Sequence, residues 1–99
     1  MSEAPMIQAM VWYREEDWNR LMEIFVDRHL IPQTFKEWEE KALENVEKAK
    51  LAGDTPVKVY IDPEPFLGWC KNKKVSPDAD ARTTFALEVV TLQQFGEKV

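Results

Sequence analysis

The sequence predicts an α+β domain, a two-stranded antiparallel sheet packed with four helices in the order β-α-α-β-α-α. Three observations predict it. Two short stretches, Met6 to Tyr13 and Val57 to Ile61, are rich in β-branched and aromatic residues. Each is followed by helix-start chemistry and then by apolar residues at helical spacing. The 99 residues suit one domain spanning 1–99, and 44% hydrophobic with 31% charged residues is the balance of a folded globule.

The first strand ends in Val11-Trp12-Tyr13. Glu15, Glu16 and Asp17 then place three carboxylates where the dipole of a following helix favours negative charge. Trp18, Leu21, Met22, Phe25 and His29 lie at i, i+3, i+4, i+7 and i+11, one face of a helix running to about Arg28. Pro32 breaks it, because the residue before a proline is pushed out of the helical region. Thr34 and Glu37 form a capping-box pattern, in which the hydroxyl accepts from the Glu37 amide and Glu37 reaches back to the Thr34 amide. The helix they open carries Phe35, Trp38, Ala42, Val46 and Ala49 on one stripe. Glu37/Lys41 and Glu44/Lys48 stand in the favourable i, i+4 order, and Gly53 is a natural stop.

Val57 to Ile61 alternates with period two. Asp62 is placed to cap a third helix with Pro63 at its first position. Phe66, Trp69 and Cys70 form its inner face, and Lys71, Lys73 and Lys74 its cationic last turn. Ser76-Pro77-Asp78 starts the last helix, which carries Ala81, Phe85, Val89 and Leu92 inward.

The two halves, 6–53 and 57–96, form an internal βαα near-repeat. Val11-Trp12-Tyr13-Arg14-Glu15 aligns with Val59-Tyr60-Ile61-Asp62-Pro63, and the aromatic Trp18 with Phe66. The same match follows if helix starts look alike because caps and dipoles demand the same residues. Parity sets the strand direction. A strand runs up, one helix returns, a second runs up, and the next strand comes down beside the first.

On a period-two ruler one sheet face takes Ile7, Ala9, Val11, Tyr13, Val57, Val59 and Ile61, which is a core face. The other takes Met10, Trp12, Lys58 and Tyr60. Helices packed only on the first face leave that aromatic, Met-bearing patch in water, where such patches mark partner surfaces. The alternative is that a helix folds over it and the rings are core. The last helix has apolar residues spread beyond one stripe, with Leu87 and Val90 added to Phe85 and Val89. The expected interaction surface is therefore Met10, Trp12, Lys58, Tyr60, Leu87 and Val90, engaging a second copy in an isologous homodimer or another protein partner. The competing expectation is a small-molecule binder or enzyme with an aromatic-lined cleft of Tyr13, Trp18, Trp38 and Tyr60 near the strand ends.

Little points to catalysis. His29, the one histidine, falls at a predicted helix end where it favours the dipole. Cys70, the one cysteine, has apolar neighbours and reads as an inert thiol. One Cys and one His exclude an intrachain disulfide and a Cys/His zinc cluster within one chain. The carboxylates Glu15, Glu16, Asp17, Asp62 and Glu64 lack calcium-loop spacing, and antiparallel strands would put them at opposite ends of the sheet. No phosphate loop, dinucleotide fingerprint, nucleophile elbow or Cys-x-x-Cys occurs, so no catalytic residue, metal or cofactor is predicted. The net charge of −5 argues against general nucleic-acid binding and leaves only the Lys71-Asn72-Lys73-Lys74 run for it. No signal peptide or membrane-length apolar run is visible, so the expected location is cytoplasmic.

Overall fold

A computed structural model of the chain describes residues 6–95. Strands β1 (Ile7–Trp12) and β2 (Thr55–Tyr60) form a two-stranded sheet, and helices α1 (Trp18–Ile24), α2 (Phe35–Leu51), α3 (Pro63–Lys73) and α4 (Ala79–Phe95) surround it. The element order matches the predicted one, but the strands are parallel. Ile7 lies beside Thr55, Val11 beside Val59 and Trp12 beside Tyr60. The positions aligned by the near-repeat are thus neighbours in the ladder. Asp54 pins the start of β1, accepting from the Met6 N–H at 3.2 Å and from Gln8 Nε2 at 2.6 Å.

The antiparallel expectation fails because α1 is not a full return leg. It has seven residues, roughly 10 Å of helix. The chain leaves the helix at Phe25, which is extended with ψ 125°, so the predicted run to Arg28 is cut short by a turn. Arg28–Leu30 forms only a 3-10 turn. α1 packs on α3 and on the 3-10 turn Glu15–Asp17, beyond the strand ends. Only α2, with seventeen residues, runs back along the sheet. One return places the next strand parallel to the first, as a crossover connection requires.

Both faces of the sheet are consequently covered, the usual condition of parallel strands. α4 sets Ala86 and Val90 on Val59, with Ala9, Val11, Val57 and Val89 around them. α2 lies on the opposite face, where Trp38 meets Trp12. A second core sits past the carboxyl ends of the strands, where Tyr13, Leu21, Phe25, Ile61, Phe66, Cys70 and Ala81 are buried together. Among the described residues the one buried charge is Arg82 of α4, which donates twice to Asp27, each bond 2.9 Å, with its guanidinium 4.3 Å from the Phe25 ring centre.

The helix ends follow local chemistry with three adjustments. Thr34 accepts from the Glu37 N–H at 3.1 Å as predicted, but the Glu37 carboxylate takes the Thr34 hydroxyl and not its amide. Asp62 precedes α3 without a capping bond, because its carboxylate is turned to Arg14. α4 is capped by Asp78, whose Oδ1 accepts from the Ala81 N–H at 2.9 Å, two residues beyond the predicted Ser76. Gly53 ends α2 at φ +86°, a conformation that favours glycine. Among the described residues no helix is long and apolar enough to cross a membrane.

Candidate interaction surfaces

The predicted sheet-face patch is largely covered. Trp12 is 4% exposed, with the Trp38 ring edge-on at 5.1 Å and Lys58 Nζ 4.4 Å from its ring centre. Met10 is half-buried beneath α2, and Tyr60 stays 40% exposed with the Arg14 guanidinium 4.4 Å from its ring centre. On α4, Val90 is buried against the sheet while Leu87 is 54% exposed. Lys58, Tyr60 and Leu87 therefore reach solvent, but on opposite sides of the sheet. The expectation that the second face lies open is corrected by α2: a parallel sheet has a crossover helix on one face, and here α4 occupies the other.

Of the aromatic cleft residues, three converge. The Tyr13 ring centre lies 4.6 Å from that of Trp38 and 6.0 Å from that of Trp18, and Trp18 and Trp38 are 6.1 Å apart. They meet as packed core, since Tyr13 and Trp18 are buried. Burial pushes the Tyr13 phenol up to about 12, with the Arg82 charge opposing and the Asp27 charge assisting that rise. Tyr60 stands outside this cluster, on the strand above Arg14.

Parallel strands bring the two acidic helix starts to one end of the sheet, not to opposite ends. They do not form a joint carboxylate site, because arginines divide them. Arg14 binds Asp62 and lies 3.6 Å from Asp17. Arg20 makes a forked contact to Glu64, Nε at 2.7 Å and Nη2 at 3.2 Å. Those hydrogen bonds hold the Glu64 carboxyl below its usual range. Among the described residues no group of three or more His, Cys, Asp or Glu side chains could hold a metal ion. His29 is exposed in the 3-10 turn after α1. Cys70 is 1% exposed, and burial pushes its thiol up, with the Asp78 charge adding to it.

Two further surfaces lie away from the covered sheet face. The first is the hollow of about 310 Å³ on the outer side of α4, lined by Thr84, Leu87, Glu88, Thr91 and Leu92. Leu87 and Leu92 are 54% and 66% exposed there, so Leu92 does not point inward as its spacing predicts. Glu88 is turned toward α3, accepting from Trp69 Nε1 at 3.1 Å with Lys73 Nζ at 3.7 Å. The second surface is the free edge of β1. The Thr55 and Ile61 N–H groups donate to the Met6 and Trp12 carbonyls. Backbone groups alternate sides along a strand, so Gln8, Met10 and Trp12 face β2 while Ile7, Ala9 and Val11 turn their N–H and C=O groups to the open edge. By the same rule the open edge of β2 belongs to Pro56, Lys58 and Tyr60.

These features define a class by fold: a small layered domain with a two-stranded parallel sheet between helices. Comparison with protein-family models finds no match, and searches of curated proteins and of solved structures find none.

Proposed function

We propose that this chain is a small protein-interaction module that self-associates through the outer side of α4. The observation that carries the reading is the exposure of Leu87 and Leu92 on a helix whose inner residues Ala86 and Val90 are fully engaged with the sheet. Thr84, Leu87 and Thr91 stand at i, i+3 and i+7, so they form one stripe. The threonines are small enough for a second helix to approach closely. The charge nearest that stripe, Glu88, is already engaged by Trp69 and Lys73. A two-fold pairing of α4 with its copy buries the same stripe on both protomers. A reducing, cytoplasmic setting suits the single buried thiol.

One helix side is a small interface, so the association is weak and concentration-dependent. Sedimentation velocity from micromolar to sub-millimolar loading tests it. The expected result is a mass rising above the 11.6 kDa monomer with concentration, and a Leu87→Asp chain that stays monomeric while keeping native tryptophan fluorescence. A constant monomer mass across the range overturns the reading.

A further inference from the structure

We propose that the open edge of β1 takes up an extended acidic segment of a partner protein as a third strand, a site separate from the self-association surface on α4. An edge strand is a template for further pairing unless the sequence blocks it. The two edges of this sheet are treated differently. At the β2 edge Pro56 replaces an outward N–H with a ring and Lys58 adds a charge, both standard blocks to pairing. At the β1 edge Ile7, Ala9 and Val11 offer unbroken N–H and C=O groups, and no residue from Ile7 to Trp12 is charged or proline. Among the described residues, the Ala9 and Val11 main-chain groups have no hydrogen-bond partner outside the strand itself.

That edge is not flat. A hollow of about 310 Å³ runs along Ala9–Trp12 between Trp38, Lys41 and Asn45 on the α2 side and Thr83 of α4. A second of about 370 Å³ continues it past Gln8 and Met10 to Lys48. The trough therefore follows β1 for about five residues, roughly 16 Å.

Charge selects the occupant. Lys41 and Lys48 flank the trough, and among the described residues neither makes an ion pair; the i, i+4 partners Glu37 and Glu44 do not reach them. The two lysines are about 10 Å apart along the helix axis. Same-side residues of a strand recur about every 6.8 Å, so carboxylates at alternate positions of a docked strand lie within reach of both flexible side chains. The intervening residues face Thr83 and are small or apolar. A second copy is the poorer occupant. Two-fold pairing of β1 with itself sets α2 beside its copy and brings Lys41 and Lys48 against their own kind.

The test uses the whole chain and a labelled peptide of alternating Glu and Val, with a Lys/Val peptide as control. Fluorescence anisotropy is expected to register salt-sensitive binding of the acidic peptide only. NMR amide exchange is expected to slow at Ala9 and Val11 when that peptide is present. Lys41→Glu with Lys48→Glu is expected to weaken acidic binding roughly tenfold or more and to admit the basic peptide, without touching the hydrophobic core. Leu87→Asp is expected to keep peptide binding, which separates this site from the α4 surface. The proposal is overturned by equal binding of both peptides, by no binding, or by binding without protection at Ala9 and Val11. It is also overturned if protection there rises with protein concentration alone, since a second copy then owns the edge.

Discussion

Removing Asp27 isolates Arg82, the one buried charge among the described residues. The Arg82 side chain is 7% exposed and that of Asp27 15%, and the pair is joined by two parallel hydrogen bonds of 2.9 Å. Asp27→Ala leaves a guanidinium in a wall built from Phe25 and Tyr13, with no carboxylate in place of water. Breaking a buried pair from one side costs about 3–5 kcal/mol, and the partial exposure of Asp27 favours the lower end. A domain of this size has about 5–15 kcal/mol in total, so the loss is a large share. With a urea slope of about 1.5 kcal/mol per molar, the midpoint should fall by about 2 M. Tryptophan fluorescence during urea unfolding reads it directly, since Trp12 and Trp18 are buried. Replacing both partners, Asp27→Leu with Arg82→Met, should recover most of the loss, because no unpaired charge is left. Acid gives a second axis. The Arg82 hydrogen bonds hold the Asp27 carboxyl below its usual value against the opposing effect of burial. A lowered carboxyl stabilises above its unfolded pKa, near 4, and that contribution is lost as pH falls through its folded value. Wild type should therefore lose stability on acidification below about pH 4 by more than the double variant does. An Asp27→Ala midpoint within about 0.5 M of wild type, or a double variant no better than the single one, would refute the buried-pair account.

Trp12→Ala should destabilise the fold by about 3–5 kcal/mol in the same urea assay, because it opens a cavity between Trp38 and Lys58; a small shift would mean the ring is not sealed as the 4% exposure implies. The Tyr13 phenol, raised to about 12 by burial, should ionise well after an ordinary phenol does. A raised acid stabilises the fold below its unfolded pKa of about 10 and loses that contribution as pH climbs towards 12. Phenolate absorbance should thus show one late-titrating tyrosine that coincides with alkaline unfolding and is absent from Tyr13→Phe.

The order of elements was legible because each depends on chemistry close in sequence. Thr34 with Glu37, Pro63 at a helix start and Gly53 at a helix end act over a few residues, and all three sit where local rules put them. Strand direction was not legible, because it turns on the length of one helix. Trp18, Leu21, Met22 and Phe25 keep helical spacing up to the residue where the helix stops. Phe25 and His29 fit the period, yet Phe25 is extended and buried among Phe66 and Arg82, so tertiary packing overrides periodicity there. From that single shortening follow the parallel sheet, the cover over Trp12 and the meeting of Arg14 with Asp62. Candidate surface residues suffered in the same way. Leu87 and Val90 share one helix, but only the angle at which α4 meets the sheet buries one and bares the other.

Closing both faces of the sheet relocates where a partner can act. With one exposed face, side chains such as Trp12 would be the contact, and specificity would lie in aromatic shape. With most of both faces covered, what the sheet offers along its length is its edges, and an edge presents backbone. Backbone pairing supplies affinity with little sequence selectivity, so selection must come from the walls beside it. Here those walls are unlike each other, lysine-bearing on the α2 side and marked by Thr83 on the α4 side. A strand added to β1 must therefore present different chemistry on its two faces, and slipping it by one residue would exchange them. That dependence on register gives an edge of otherwise indifferent amides a means to discriminate among acidic segments.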